Sequence, residues 1–360
     1  MTAVEQGNSV AFTFNKSKRL PIFDFVRAFA IILIVCSHLP NQIDLPPIAD
    51  TLSVLSPGFA LFGLSLFVFT SSYLIRLNYW QIDSIADVIE FYKRRIVRIY
   101  PLFFLGILLS FFSGMWHPDL LPFLINLIGL QTLLYPYSDP QALWFVGLIV
   151  ILYAIYPFLI WRSERPFLRK AIVLLAFIII HEVFGLVDPR FVVYYFVFLL
   201  GLGSPPNSFR LRHPVKSGIS AEGRSIDCYP VIVLFCVIFI YALIKKDVGL
   251  RTFMVCTSLA VLTQAWIHTT KVINMVNKFW KSLSYASYSI YLFHGGILII
   301  AERISKAHNL GPGVNDLFIL AVVLPFIFFF SNYIQRLYDF LSLRWIRPKW
   351  IDPNNNKGVA

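Results

Sequence analysis

Apolar stretches long enough to cross a membrane follow one another along most of this chain, separated by short segments that hold most of its charge. A helix needs about 20 apolar residues to span the hydrocarbon core of a bilayer. Apolar residues make up 58% of the 360 residues, charged residues only 14%, and the mean hydropathy is +0.70. These features predict an all-α fold, that of a polytopic helical membrane protein.

The chain is basic, with a net charge of +12. Nucleic-acid binding would also favour a basic chain, but it would not explain the apolar stretches. Basic residues instead accumulate in the cytoplasmic loops of membrane proteins, close to anionic lipid head groups. We therefore expect membrane lipids, and no nucleic acid, among the partners. The cysteines lack the spacing of metal ligands, so no metal is expected.

The alternation of basic and non-basic loops predicts about ten transmembrane helices with both termini in the cytoplasm. Residues 1–20 are then a cytoplasmic N-terminal segment, 21–340 a transmembrane domain and 341–360 a cytoplasmic tail. Lys245 and Lys246 fall outside in this arrangement, which is its one clear violation. The expected helices span residues 22–39, 57–77, 99–115, 142–161, 170–187, 190–203, 230–244, 250–270, 283–301 and 316–338.

One apolar segment, residues 120–135, does not fit this alternation. It is short for a span and contains Pro122, Asn126 and Gln131. If it crossed the membrane, the basic loop that follows residue 161 would lie outside, against the charge rule. We therefore expect a re-entrant or interfacial segment here.

The first predicted helix, residues 22–39, contains three ionisable residues, Asp24, Arg27 and His38. Asp24 and Arg27 can pair because they are three positions apart. Arg27 and His38 are separated by about 16 Å along the axis, roughly half the hydrocarbon thickness. Such groups usually face a protein interior or a water-filled cavity. Alternatively, Arg27 is a cytoplasmic anchor and His38 an interfacial residue before Pro40.

Several segments, taken in order, resemble the motifs of the membrane acyltransferase-3 family of integral membrane O-acyltransferases. Two positions depart from the family pattern, since Ser72 stands where glycine is usual and Ile149 where many members have Glu. The matching segments are Asp24, Arg27 and His38; residues 63–75; Arg95, Arg98 and Pro101 as Arg-x-x-Arg-x-x-Pro; Trp144, Tyr153 and Pro157; and residues 287–294, Ser-Tyr-x-x-Tyr-Leu-x-His.

The resemblance implies an acyl-CoA donor, usually acetyl-CoA, at the cytoplasmic face of a cell membrane, such as a bacterial inner membrane. The acceptor it implies is a carbohydrate or a lipid-linked glycan beyond that membrane. Arg94, Arg95 and Arg98 suit the phosphate groups of CoA, and the start of the predicted third helix would add positive potential. The alternative is that these arginines only anchor the helix against anionic lipid.

Acylation of a hydroxyl needs a base, and His38 is the first candidate. It could instead accept the acyl group transiently. Arg27 would hold the CoA end or polarise the thioester carbonyl, with Asp24 orienting it. His294 would bind the acceptor or hydrogen-bond between helices, and Trp144 would stack on a sugar ring or sit in an aromatic belt. Tyr288 is a further substrate-binding candidate, although packing at helical spacing also accounts for it.

With no hydrolase-like domain expected after the last helix, acyl transfer would depend on the membrane domain alone. The competing interpretation is a transporter or flippase of glycan precursors, in which Arg27 and His38 serve a proton or substrate path.

Overall fold

The computed structural model describes residues 21–79, 82–134, 143–161, 166–203 and 278–346. These five ranges are helical and contain no strand, which confirms the all-α prediction. Their α-helices are α1 Pro21–His38, α2 Pro46–Asn78, α3 Ile85–Phe112, α4 Leu120–Leu127, α5 Gln131–Leu134, α6 Trp144–Ile160, α7 Pro166–Phe184, α8 Arg190–Gly203, α9 Lys278–Ala307, α10 Pro312–Phe318 and α11 Leu324–Ile346.

Five of the described helices are long and apolar enough to cross a membrane. They are Phe23–Asn41, Pro46–Asn78, Ile85–Phe112, Lys278–Ala307 and Pro312–Ser342. The last of these joins α10 to α11 through a π-helical stretch, Ile319–Val323. Helices α6 and α8 are apolar but shorter. The chain is thus a multi-pass membrane protein, and the total of ten spans stays a prediction because residues 230–244 and 250–270 lie outside the described residues.

Helix α3 begins at Ile85, well before the expected start at residue 99. Ser84 and Asp87 form a capping box, in which Ser84 Oγ accepts the Asp87 N–H at 3.2 Å and Asp87 Oδ2 accepts the Ser84 N–H at 3.0 Å. The prediction that Arg94, Arg95 and Arg98 lie at a helix start was therefore wrong. The helix dipole acts within the first turn, so it adds no potential at these arginines.

Helix α2 also begins earlier than expected, at Pro46 instead of Pro57, so most of the predicted external connection is helical. Proline fits the first turn of a helix because its missing N–H would have no partner there. The carboxylate of Asp316 accepts the N–H groups of Asp44 and Leu45 at 2.7 and 3.1 Å. This contact fixes the start of α2 against α10.

Residues 120–135 do not form one continuous helix in their described part, which ends at residue 134. Helices α4 and α5 are separated by a turn in which Gly129 has a φ of 77°. Such a left-handed conformation suits glycine and interrupts the helix. Two short helices are compatible with the re-entrant or interfacial prediction and cannot together span a bilayer.

Helices α3 and α9 pack closely and run in the same direction. A Cβ atom on Gly106 would lie 3.3 Å from Leu292 Cβ, and one on Gly296 would lie 2.8 Å from Leu109 Cγ. Small residues at such crossings let two membrane helices approach each other. Helix α1 contacts both α2 and α9, so α9 lies against the first and third helices together.

Candidate active site

The two motif histidines, His38 on α1 and His294 on α9, lie against each other inside the helix bundle. Their ring centroids are 4.8 Å apart and their planes are at 76°, an edge-to-face arrangement. His294 is fully buried and His38 is half-buried. Positions 256 residues apart in the chain thus form one site, which we call the imidazole pair.

Backbone hydrogen bonds determine which nitrogen of each imidazole is basic. His38 Nδ1 lies 2.8 Å from the carbonyl oxygen of Ile34, and His294 Nδ1 lies 2.8 Å from that of Tyr291. Because a carbonyl oxygen only accepts, each Nδ1 carries the proton, and the lone pair of the neutral ring is at Nε2. His294 Nε2 is buried and has no hydrogen-bond partner among the described residues. The pair therefore contains a buried, unused acceptor.

Asp24 lies near the start of α1, at the end of the helix opposite His38. Its carboxylate is buried, 6% exposed, and accepts a hydrogen bond from Ser284 Oγ at 3.1 Å. Ser284 and His294 are both on α9, so the contact between α1 and α9 places polar groups at two levels. Arg27 is half-buried one helical turn after Asp24.

The three arginines of α3 have different surroundings. Arg94 is exposed and pairs with Glu90 at 2.5 Å. Arg95 is partly buried, and its guanidinium lies over the rings of Phe91 and Tyr153, each 5.3 Å away. Arg98 is exposed. Arg95 is thus the one that lies over aromatic rings, while Arg98 interacts electrostatically with Tyr288 and Tyr338.

Tyr288 and Trp144 both have partners within the protein. The Tyr288 hydroxyl donates to the carbonyl oxygen of Ile99 at 3.0 Å, which links α9 to α3. The guanidinium of Arg190 lies 3.7 Å from the centre of the Trp144 ring and also pairs with buried Asp188. One face of Trp144 is therefore covered by a cation.

The polar groups around Tyr153 and Tyr156 on α6 were not predicted from the sequence. The hydroxyls of Tyr153 and Ser71 form a short hydrogen bond between α6 and α2. Arg76, in the last turn of α2, hydrogen-bonds to Tyr156. Arg76 lies at the end of an apolar helix, just as Arg27 lies near the start of one. A charged residue in such a position was the sequence signal that could have identified Arg76. Ile149, the departure on the same helix, packs against the apolar core.

No group of three or more metal-ligating side chains occurs within the part of the chain that the structure describes. An all-helical membrane protein with two inward-facing imidazoles, each with its Nε2 available as a base, has the groups that proton-transfer chemistry requires.

Comparison with known proteins identifies the family. The family model Acyl_transf_3, described as an acyltransferase domain, matches residues 20–334. The chain belongs to this acyltransferase family, as the motifs indicated. It is also 24% identical over 294 residues to a protein of Acidianus two-tailed virus named "Putative acetyltransferase ORF330", with 75% of this chain and 80% of the relative covered. No solved structure matches the chain significantly.

Proposed function

We propose that the protein transfers an acyl group, acetyl in the simplest case, from cytoplasmic acyl-CoA to a hydroxyl of a cell-envelope carbohydrate or lipid-linked glycan. Membership of the acyltransferase family supports the transfer itself. The observation that carries the chemical proposal is the imidazole pair, because both rings have their Nδ1 protons engaged by the backbone. Each neutral ring then has Nε2 as its acceptor, and the two ring centroids are 4.8 Å apart.

His38 acts as the general base in this proposal. The acceptor hydroxyl attacks the thioester carbonyl while His38 Nε2 takes its proton, and the C–S bond then breaks. The proton passes from His38 to the departing CoA sulfur, so that the products are an ester and the free thiol of CoA. His38 is suited to this because its half-buried ring is reachable by substrate and is held by Ile34.

His294 binds the acceptor in this proposal. Its buried Nε2 has no partner among the described residues, and leaving such an acceptor unpaired costs about 1–3 kcal/mol. A sugar offers neighbouring hydroxyls, so one can donate to His294 while the other reacts at His38. An acceptor with two adjacent hydroxyls would use both rings of the imidazole pair.

The donor enters from the opposite end of α1, near Asp24 and Arg27. Ser284 holds the Asp24 carboxylate in place, and Arg27 lies one turn further into the bundle. About 16 Å of α1 separates Arg27 from His38, so its guanidinium holds the CoA end of the donor while the thioester carbonyl reacts at the imidazole pair. The positive-inside rule supports a cytoplasmic location for this end and for both termini.

Purified protein in lipid nanodiscs, given radiolabelled acetyl-CoA and candidate glycans, tests the proposal. We expect labelled ester on one acceptor and stoichiometric release of free CoA. Unaltered glycan crossing proteoliposomes without any acetylated product would favour the transporter and contradict the proposal. Mass spectrometry of surface glycans with and without the protein identifies both the acyl group and the acceptor.

A further inference from the structure

We propose that Arg76, Arg95 and Lys170, from three different helices, form one site that binds phosphate groups of the donor. This inference rests on the proposed function, since it assigns further residues to the donor of that reaction. The sequence placed Arg27 on α1 and the arginines of α3 at the donor. The structure adds α2 and α7, and we call the three residues the cation cluster.

Arg95 is the first member, and its surroundings are aromatic. Its guanidinium lies 5.3–5.6 Å from the ring centres of Tyr79, Phe91 and Tyr153. Its Nε–H group is buried and has no hydrogen-bond partner among the described residues. Aromatic faces stabilise the cation but leave its N–H donors unused. A buried donor without a partner indicates that a ligand supplies the missing acceptor.

Arg76 lies beside Arg95 because both approach the same tyrosine. The Tyr156 hydroxyl donates to the Tyr79 carbonyl oxygen at 2.6 Å and accepts a hydrogen bond from Arg76. Tyr156 also interacts electrostatically with Arg95. The fully buried Tyr156 ring therefore holds the end of α2 and fixes the position of the Arg76 guanidinium relative to α3.

Lys170, one turn into α7, completes the cluster. Its ammonium group makes no hydrogen bond or ion pair with any described residue, and it interacts electrostatically with the guanidinium of Arg76. Its backbone carbonyl accepts a hydrogen bond from Tyr195 at 3.0 Å, which fixes this turn against α8. Two cations thus face each other, although like charges at close range repel.

Two basic residues near the cation cluster, Arg94 and Arg169, do have acceptors within the protein. Arg94 pairs with Glu90 on the exposed face of α3. Arg169 donates to the carbonyl oxygens of Phe158 and Trp161 at the end of α6. Arg95 and Lys170 have no such acceptor in the described ranges. Because α2 ends, α6 ends and α7 begins at this level of the bundle, the three members of the cluster share one membrane face.

A phosphate group is the ligand chemistry that fits such a site. Guanidinium groups bind phosphate oxygens with two parallel hydrogen bonds, and a lysine adds a point charge. CoA offers several phosphates next to its acyl-bearing arm, and an anionic lipid offers one. We infer the CoA phosphates, because Arg95 lies on Tyr153, whose hydroxyl is bound by Ser71 inside the bundle.

Lys170→Met is the sharpest test, because the Lys170 ammonium group makes no hydrogen bond or ion pair with a described residue and Met keeps an unbranched side chain. We expect the KM for acetyl-CoA to rise about tenfold, with kcat unchanged. The KM for S-acetyl-pantetheine, which has no phosphate, should stay the same. Lys93→Met on α3 is the matched control, since Lys93 is exposed and should leave both values unchanged. Arg95→Gln should act in the same direction as Lys170→Met.

Equal KM changes for both donors, or no change for either, would overturn the phosphate site. A KM change that appears only in nanodiscs containing anionic phosphatidylglycerol would identify a lipid phosphate and also overturn it. Direct binding of adenosine 3′,5′-bisphosphate separates this inference from the proposed function. Wild-type protein should bind it about tenfold more tightly than Lys170→Met, even if no acyl transfer is found, and equal binding would contradict the inference.

Discussion

The imidazole pair and the cation cluster differ in how they hold polar side chains inside the helix bundle. Each imidazole donates its Nδ1 proton to a backbone carbonyl one turn earlier on its own helix, so the acceptor of the neutral ring is Nε2. In the cation cluster, aromatic rings surround the Arg95 guanidinium and the Tyr156 hydroxyl accepts a hydrogen bond from Arg76. The first arrangement leaves a base available, and the second leaves cationic donors available.

We propose that this difference separates the catalytic region from the region that binds the donor. A group that must gain and lose a proton is best held without a fixed charge, whereas a site for phosphate is best held fully charged. The two regions are connected by one pair of packed helices. Helix α3 carries Arg95 and Gly106, and it packs against α9, which carries His294 and Gly296. We therefore expect substitutions at the imidazole pair to change kcat or acceptor KM, and substitutions at the cation cluster to change donor KM.

The largest expected effect is that of His38→Ala. Removing the general base should lower kcat about 10²–10⁴-fold, because proton transfer contributes that much to acyl transfer to a hydroxyl. Steady-state kinetics with acetyl-CoA measure the loss, and binding of adenosine 3′,5′-bisphosphate should be unchanged. His117→Gln is the control, since this exposed histidine lies outside the pair. A fully active His38→Ala protein would remove the imidazole pair from the mechanism.

The next effect concerns the other ring of the pair. His294→Leu removes the buried Nε2 acceptor, and we expect the acceptor KM to rise about 10–100-fold, since a lost hydrogen bond that leaves a buried partner costs about 1–3 kcal/mol. His294→Gln keeps an acceptor oxygen and should recover part of the affinity. Donor KM should be the same in both variants. A change in donor KM would show that the two regions are not separate.

The third effect concerns the packing of α8 against α2. A Cβ atom at Gly201 on α8 would lie 1.8 Å from Ser72 Oγ and 2.7 Å from the carbonyl oxygen of Phe69, both on α2. We expect Gly201→Ala to destabilise the protein by about 1–3 kcal/mol through overpacking. The thermal midpoint in detergent measures this loss.

Ser72→Gly in the same chain should restore part of that stability, because it removes the hydroxyl and the Cβ that the new methyl group meets. Coupling between contacting sites is about 0.5–3 kcal/mol. Strict additivity of the two substitutions would contradict the packing described here. Gly201 also explains how the chain tolerates Ser72 where the family usually has glycine, since the hydroxyl occupies the space beside it and donates to Phe69.

Much of this site was predictable from the sequence, because intramembrane charge is rare and therefore informative. His38, His294 and the family follow from motifs in apolar helices. The contact between the two rings did not follow, since residues 256 positions apart meet only through the packing of α1 on α9. Arg76 and Lys170 were missed for a similar reason. Arg76 stands alone at the end of an apolar helix and Lys170 belongs to the basic segment after residue 161, and only the packing of α2, α6 and α7 makes them neighbours.

Helix boundaries were the least predictable feature of the fold. The start of α3 was expected where hydrophobicity begins, but the capping box of Ser84 and Asp87 starts the helix several turns earlier. Charged side chains such as Glu90, Lys93 and Arg94 interrupt the apolar residues in those turns, so hydropathy gives no signal of a membrane span there, whereas the cap marks the start of the helix. At the start of α2 the hydrogen-bond acceptors come from a distant helix. The Asp316 carboxylate accepts the N–H groups of Asp44 and Leu45, just before Pro46, and hydropathy gives no sign of this contact.

The smallest expected effect is that of Tyr288→Phe, which tests whether this residue binds substrate or only holds α9 against α3. The Tyr288 hydroxyl donates to the carbonyl oxygen of Ile99, between the level of Arg95 and the level of His294. If Tyr288 only holds α9 against α3, the substitution lowers the free energy of unfolding by about 1 kcal/mol, the usual net value of one hydrogen bond. The KM values for donor and acceptor then stay unchanged. Thermal denaturation and steady-state kinetics of the same preparation measure the two quantities. A raised acceptor KM with unchanged stability would instead place Tyr288 among the groups that bind substrate, as its motif suggested, and would extend the acceptor site from the imidazole pair toward the donor.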